Sequence, residues 1–281
     1  MALSALARLL VLLLVGPPPV VPPGTLAPCP AHPAPSTRAP DAAPTGAGCR
    51  ATPTEAESAP STGSRAAPDG GVEDATGYRH LGAVTGDGYA GVTGGLGVSD
   101  PGVRSGTNDF VAVRFMAVGS SGGKGTWLEA GWTEDGWQDA AQHVYTYNTN
   151  QMSWSYYDQY PIKPGDTVWF ALQSAGTDGS GAVWRAWLWW GDRWNLLAEQ
   201  TLPIGTRTPI EQYVEVYTDP ARGRGYPLPR TDVEQVRVEP GAGQPYVDWR
   251  PPDVATDVSP NYPGYCVDWL TQYTTWYART C

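Results

Sequence analysis

Between residues 78 and 238 the chain reads as short strand-like runs separated by turn signals, a rhythm that leaves few folds open. The glycine-rich stretch 89–98 carries Val92, Leu96 and Val98, and Asp100-Pro101-Gly102 marks a turn before a stronger strand over 110–118. The loop Ser120-Ser121-Gly122-Gly123-Lys124-Gly125 leads into Thr126-Trp127-Leu128-Glu129-Ala130-Gly131-Trp132-Thr133-Glu134. Runs at 142–147 and 153–157 flank Asn148-Thr149-Asn150-Gln151, residues that tolerate positive φ. Lys163-Pro164-Gly165-Asp166 precedes 167–173, Thr177-Asp178-Gly179-Ser180-Gly181 precedes 182–190, and Gly191-Asp192 turns the chain into 193–199. With 210–217 and 232–238 this makes about ten strands, and the spacing predicts an all-β fold, an antiparallel β-sandwich of jelly-roll or concanavalin-like type. The one helix expected is short and aromatic-rich, over 267–278 in the tail.

The rest of the chain divides by composition. Arg8 precedes the apolar run Leu9-Leu10-Val11-Leu12-Leu13-Leu14-Val15, which is too short to span a bilayer and ends in glycine and prolines. Residues 1–27 therefore read as a signal peptide with cleavage after Ala27, giving a secreted, extracellular protein with no membrane attachment after cleavage. Leu26-Ala27-Pro28-Cys29 departs from a bacterial lipobox in the proline directly before the cysteine. From 28 to 75 the sequence is almost wholly Ala, Pro, Ser, Thr and Gly. Such a segment has too little apolar surface of its own to offset ordering entropy, which predicts a disordered linker, with a propeptide as the alternative. The β-sandwich is expected over 76–240 and a C-terminal extension over 241–281.

The four cysteines, Cys29, Cys49, Cys266 and Cys281, lie outside the strand-rich region, which argues against a catalytic thiol. Their order suggests two local bridges, Cys29 to Cys49 and Cys266 to Cys281, although three connectivities are formally open. The 18 Lys and Arg residues against 28 Asp and Glu give a net charge of −10, which repels phosphate backbones and excludes nucleic acid as a partner. With only His32, His80 and His143 in the chain, a histidine-rich zinc site is nearly excluded and no metal is assigned; calcium near Asp135 and Asp139 has only weak support from their spacing. A Ser-His-Asp enzyme using His143 lacks a Gly-x-Ser-x-Gly turn.

Strand parity picks out the candidate site. At a two-residue period Leu128, Ala130 and Trp132 face one way and Trp127, Glu129, Gly131 and Thr133 the other. In 210–217 Ile210, Gln212, Val214 and Val216 share one face, while Glu211, Tyr213, Glu215 and Tyr217 share the opposite one. If the two strands belong to one sheet, Glu129 and Glu215 look into the same groove, with Trp127, Tyr213 and Tyr217 as its aromatic lining. An outward glutamate is also commonly paired across to an arginine, for which Arg114 or Arg185 could serve. Ten of the 13 tryptophans lie between Trp127 and Trp194, and in 184–190 they occur on both faces. That surface either fills a small core or stacks on substrate, and Trp187 joins the substrate-binding candidates on the second reading.

The order of motifs resembles a known family. The run Tyr89-Ala90-Gly91-Val92-Thr93-Gly94-Gly95-Leu96-Gly97-Val98-Ser99-Asp100-Pro101-Gly102-Val103, then Phe110, Leu128-Glu129-Ala130-Gly131-Trp132, Glu215-Val216-Tyr217-Thr218-Asp219-Pro220 and Val233-Glu234-Gln235-Val236-Arg237-Val238, is similar to the neprosin-type glutamic peptidases. The resemblance implies a secreted β-sandwich enzyme that cuts after proline with two catalytic glutamates, which fall on Glu129 and Glu215, and needs no cofactor. The family's cysteine-containing motif downstream of the first glutamate is replaced by Tyr156-Tyr157-Asp158-Gln159-Tyr160, and its His-containing stretch before the last strand by 223–230. One ionised and one protonated glutamate would activate water against a peptide carbonyl, with activity at acid pH. Two other readings fit the same surface: a carbohydrate-binding, lectin-like module without turnover, and a glycoside hydrolase using the same pair on a polysaccharide.

Overall fold

The computed structural model of the 281-residue chain describes residues 26–31, 34–36, 38–58, 77–222 and 225–281. Its strands are β1 (Cys49–Arg50), β2 (Glu55–Ser58), β3 (Tyr78–Thr85), β4 (Gly91–Gly97), β5 (Phe110–Ser121), β6 (Lys124–Asp135), β7 (Gln142–Asn148), β8 (Ser153–Tyr156) and β9 (Thr167–Thr177). They continue as β10 (Ala182–Trp190), β11 (Arg193–Leu202), β12 (Ile210–Tyr217), β13 (Thr231–Glu239), β14 (Val247–Asp248), β15 (Thr256–Val258), β16 (Tyr265–Thr271) and β17 (Thr275–Thr280). Among the described residues the helical content is a 3-10 turn at Pro220–Arg222.

Two sheets form the sandwich. One has the order β15-β3-β12-β5-β6-β7-β8-β2, and the other β1-β11-β10-β9-β4-β13-β17-β16 with β14 beside β13. Among the described strands the pairings are antiparallel except that of β1 with β11. The inward residues of β5, β6 and β12, Val111, Val113, Phe115, Leu128, Ala130, Trp132, Val214 and Val216, meet Val92, Leu96, Phe170, Leu172, Trp184 and Leu188 of the facing sheet. Burying one such aliphatic or aromatic side chain contributes about 1.5–3 kcal/mol, so alternation in these strands settles which face each polar residue must take. The tight turns are the ones their residues specify. Gly122 and Gly123 join β5 to β6 at φ 59° and 76°, and Gly191 and Asp192 join β10 to β11 at 59° and 55°, positive values that a two-residue hairpin turn requires.

Three regions differ from the sequence-based expectation. The tail is a hairpin, β16–β17, in place of a helix. Its aromatic residues alternate at period two, so that Trp276 is fully buried and Val267 and Trp269 pack beside it, while Asp268 pairs with Arg279 at 3.1 Å on the other side. Because β17 pairs with β13, the second sheet runs on past residue 240 and takes in the C-terminal segment. Residues 38–58, which composition assigns to a structureless linker, lie ordered against the sandwich: β1 pairs with β11, and β2 pairs with β8 at the edge of the first sheet. The segment brings only small apolar groups, Cys49 and Ala51 among them, and tryptophans of β10 and β11 hold part of it, Trp189 and Trp194 donating to the Arg38 and Ala42 carbonyls. The apolar run of the expected signal peptide lies outside the described residues; among those described, no helix is long and apolar enough to cross a membrane.

Both local disulfides are present, Cys29–Cys49 across 20 residues and Cys266–Cys281 across 15. The second closes the open end of the β16–β17 hairpin, whose Trp276 donates its indole N–H to Gln212 Oε1 of β12 at 2.7 Å. Replacing Cys266 and Cys281 by serine is expected to lower the unfolding free energy by about 2–3 kcal/mol, measured by urea titration, since a loop of this length loses comparable entropy in the unfolded chain.

Candidate active site

The outward faces of β3, β12, β5, β6 and β7 form one polar and aromatic surface. Register places Glu211 of β12 and Glu129 of β6 on either side of Met116 of β5, and Glu215 beside Ala112. Between these two levels stands Arg114, flanked by Tyr213 and Gly131. Gly131 is required by proximity: a Cβ there would collide with the Val113 carbonyl and the Arg114 Cα. Small residues at 112 and 131 leave the guanidinium room to rise between the strands.

Arg114 is the centre of the cluster. Its Nε donates to Glu215 Oε2 at 2.7 Å and its Nη1 to Glu211 Oε2 at 2.8 Å, and the same Nε lies 3.5 Å from Glu129 Oε2. Glu129 and Glu215 therefore reach one nitrogen, which holds their oxygens within about 6 Å of each other. His80 Nε2 of β3 is 3.7 Å from Glu215 Oε2. Glu129, Glu211 and Glu215 are all at 0% exposure and Arg114 at 2%.

Aromatic side chains wall this cluster. The Arg114 guanidinium carbon lies 5.5 Å from the centre of the Tyr213 ring, within cation–π range. Trp127 stacks on Tyr147 at 5.9 Å next to Glu129, and Tyr217 packs on Phe110 at 5.6 Å and Tyr78 at 4.5 Å next to Glu215. Trp154 joins the two ends through Tyr145, Tyr147 and Phe110.

Three buried carboxyls share one guanidinium and one imidazole, too little positive charge for all three to ionise cheaply in a desolvated site. Glu211 shows the effect. Burial raises its pKa above the ordinary carboxyl value, and the pull of Arg114 and His80 only partly offsets that. Its second oxygen, Oε1, makes no hydrogen bond to any described residue. The surface thus sets a carboxyl that holds its proton more tightly than usual beside two further buried carboxyls and a fixed cation, a set suited to moving a proton to and from a bound water.

Glu129, Glu215, Trp127, Tyr213 and Tyr217 fall together on this surface. Trp187 does not. It points from β10 to the outer side of the other sheet, fully buried with Ala171, Trp194 and Leu196, because the core-facing positions of that strand go to Trp184, Ala186, Leu188 and Trp190. Two members of the cluster were visible only in part beforehand. Glu211 has the parity of Glu215, but its role depends on Arg114, and the pairing of β5 with both β12 and β6 that brings them together has no signature in any one strand. His80 joins from β3, whose pairing with β12 sets it opposite Glu215.

His143 of β7 lies away from the cluster, with Nδ1 2.9 Å from Asp158 and Nε2 2.9 Å from Asp139. Burial alone would lower its pKa, but hydrogen bonds with the two carboxylates outweigh this and hold it above the ordinary value. Its contribution to stability is therefore full below about pH 6.5 and disappears as pH rises through the higher folded-state value. His143→Gln is expected to flatten the decline of melting temperature between pH 6 and 9, an effect of about 1 kcal/mol or less since both aspartates are exposed.

No protein family and no curated protein matches the sequence. Among solved structures, the chain is similar to scytalido-glutamic peptidase with a transition state analog inhibitor, at TM-score 0.48 and 13% identity over 72% of this chain and 98% of that one. A second structure of scytalido-glutamic peptidase, with a peptide based transition state analog, gives TM-score 0.47 and 12% identity over 73% and 98%. SCP-B, a member of the Eqolisin family of peptidases in a complex with the tripeptide Ala-Ile-His, gives 0.44 and 12% over 73% and 98%.

Proposed function

We propose that this chain is a secreted peptide hydrolase of the glutamic type, active at acid pH, in which Glu129 and Glu215 activate water against a peptide carbonyl. The observation that carries the reading is the meeting of these two glutamates, each inside a motif of the neprosin-type pattern, on one guanidinium nitrogen of an aromatic-walled face. Glu215, hydrogen-bonded to Arg114, serves as the carboxylate that takes a proton from the attacking water. Glu129, which the guanidinium approaches only to 3.5 Å, serves as the acid that protonates the carbonyl oxygen. As the tetrahedral intermediate collapses, the proton held by Glu215 passes to the departing amine nitrogen, and the proton on the former carbonyl oxygen returns to Glu129. Water is the only co-reactant. Glu211 positions Arg114 through Nη1.

Trp127, Tyr213 and Tyr217 offer apolar and stacking contacts to substrate side chains, and cleavage after proline is the narrower specificity that the motif resemblance carries. The exposed large apolar residues among those described are Met152, Val247, Val258 and Leu270, so no described tryptophan offers the open stacking platform that sugar binding without turnover calls for. The three glutamates are closed to solvent, so the intact chain is expected to be latent until acid or limited proteolysis opens the face.

The test of substrate class is product analysis. The purified chain, before and after limited proteolysis, is incubated at acid pH with proline-containing peptides and, separately, with polysaccharides. Peptide fragments ending in a new carboxyl terminus, absent with Glu129→Gln, support the proposal. Released sugars, or polysaccharide binding without peptide cleavage, would overturn it.

A further inference from the structure

On the glutamate face Trp127 is fixed at its backbone and its ring, and its indole N–H is left over. It stands two residues before Glu129 on β6, so the two side chains rise from the same side of the strand with their Cα atoms about 7 Å apart. Its backbone N–H donates to Thr149 Oγ1 at 3.0 Å, and its carbonyl accepts from the Thr149 N–H at 3.2 Å. The ring stacks on Tyr147 at 5.9 Å, and the Tyr147 O–H donates to Met152 Sδ at 3.6 Å. Residue 127 is 5% exposed, yet its Nε1 has no hydrogen-bond acceptor among the described residues. Indoles elsewhere in the sandwich are served by the fold itself. Trp132 donates to the Gly97 carbonyl at 3.0 Å, Trp184 to the Gly205 carbonyl at 3.2 Å and Trp249 to Thr256 Oγ1 at 2.9 Å.

A donor shut away from water without an acceptor is costly, which is why buried polar groups are nearly all paired. Trp187 carries the same cost, but it lies on the sheet opposite the glutamates, packed among Ala171, Trp194 and Leu196. Trp127 differs in its place. Its neighbours on β5, Val118 directly across and Met116 across from Glu129, are apolar and buried, so that strand offers its N–H no side-chain acceptor. A peptide whose scissile carbonyl lies at Glu129 brings further backbone carbonyls with it, about 3.3 Å apart per residue along an extended chain. We infer that the Trp127 indole N–H is a substrate-binding donor that takes a backbone carbonyl of the bound peptide, about one or two residues from the scissile bond. The inference rests on the peptidase reading and adds to it a contact with the main chain of the substrate. Because such a contact reads no side chain, it sets the register of the peptide over Glu129 and Glu215 whatever the sequence. A donor already desolvated gives up no water on binding, so a carbonyl that reaches it gains more than it would from an exposed one.

The test is a cycle between protein and peptide. The full chain carrying Glu215→Gln, which keeps an oxygen for Arg114 and cannot turn substrate over, is titrated at acid pH into a fluorescently labelled alanine-rich peptide with one central proline, followed by anisotropy. A parallel set of peptides carries an (E)-alkene in place of one amide at a time, which keeps the extended shape and removes the carbonyl. One replacement close to the proline is expected to raise Kd about tenfold, Trp127→Phe to raise it by about the same factor, and the two together no more than either alone. Additive losses at every position, a Phe variant that binds the parent peptide as tightly as the indole does, or no binding at all would each overturn the inference. Where phenylalanine disturbs the fold, benzothienylalanine at 127 exchanges only the N–H for sulfur and must give the same pattern. Cleavage by the native chain separates the two readings. A peptide bound through Trp127 but never cut would retire the peptidase and leave this contact standing, whereas cutting without any dependence of binding on Trp127 would retire the contact and leave the peptidase.

Discussion

Replacing Arg114 by methionine is expected to destabilise the protein by about 3–5 kcal/mol at pH 7, more than any other single substitution in the cluster. Methionine fills much of the space of the arginine stem but leaves Glu129, Glu211 and Glu215 buried without the cation that two of them hydrogen-bond. The sign with pH follows from the carboxyls. Glu211 already has a raised pKa with Arg114 in place. A raised carboxyl contributes stability that is full below its unfolded value near 4.5 and is lost as pH rises through the folded value. Removing the guanidinium strengthens that dependence, so the gap between variant and wild type should be large at pH 7 and shrink towards pH 4. Urea titrations of both proteins at the two pH values measure it. A gap that stays the same size would mean that Arg114 acts through packing and not through charge. Glu211→Gln added to Arg114→Met should recover part of the loss at pH 7, since it removes a buried carboxyl that must otherwise ionise or hold a proton that the unfolded chain releases.

The second large effect concerns turnover. Glu129→Gln and Glu215→Gln should each lower kcat for peptide cleavage by about a thousandfold, within the range that a general acid or base contributes, while leaving the fold intact. Glutamine keeps the shape of glutamate and cannot exchange a proton. For Glu215 it also leaves an oxygen for Arg114 Nε, which preserves the 2.7 Å hydrogen bond. Loss of activity without loss of melting temperature separates a chemical role from a structural one. Glu211→Gln is the control on the same strand: it should change the pH dependence of stability more than the rate.

Much of the scaffold was legible in the chain. The boundaries of β10 and β12 follow from alternation, and the turns at 122–123 and 191–192 from the residues able to take positive φ. Parity alone set Glu129 and Glu215 outward, because Leu128 and Ala130 on one strand and Val214 and Val216 on the other had to face the core. Adjacency was the hidden part. Parity says which face a residue takes and nothing about which strand lies beside it, so the insertion of β5 between β12 and β6, and with it the role of Arg114, could not be read from single strands. Trp187 illustrates the reverse limit. A tryptophan on an outward face looks like a ligand platform until the partner that covers it is known, and here that partner is remote in sequence. The same remoteness hid the order of residues 38–58: composition counts the apolar groups a segment brings, whereas this one is also held by tryptophans of β10 and β11. In the tail, a run of aromatic residues fits either period, and the pairing of β17 with β13 decided for strands.

The most direct test of the central claim is the initial rate of peptide cleavage by the opened chain as a function of pH from 2.5 to 7, recorded beside Glu129→Gln and Glu215→Gln. A rate that peaks in the acid range, falls towards neutrality as the proton-donating carboxyl ionises, and is abolished by either substitution is the predicted result. A rate that rises towards neutral pH, or that survives in either variant, would contradict a mechanism built on these two glutamates.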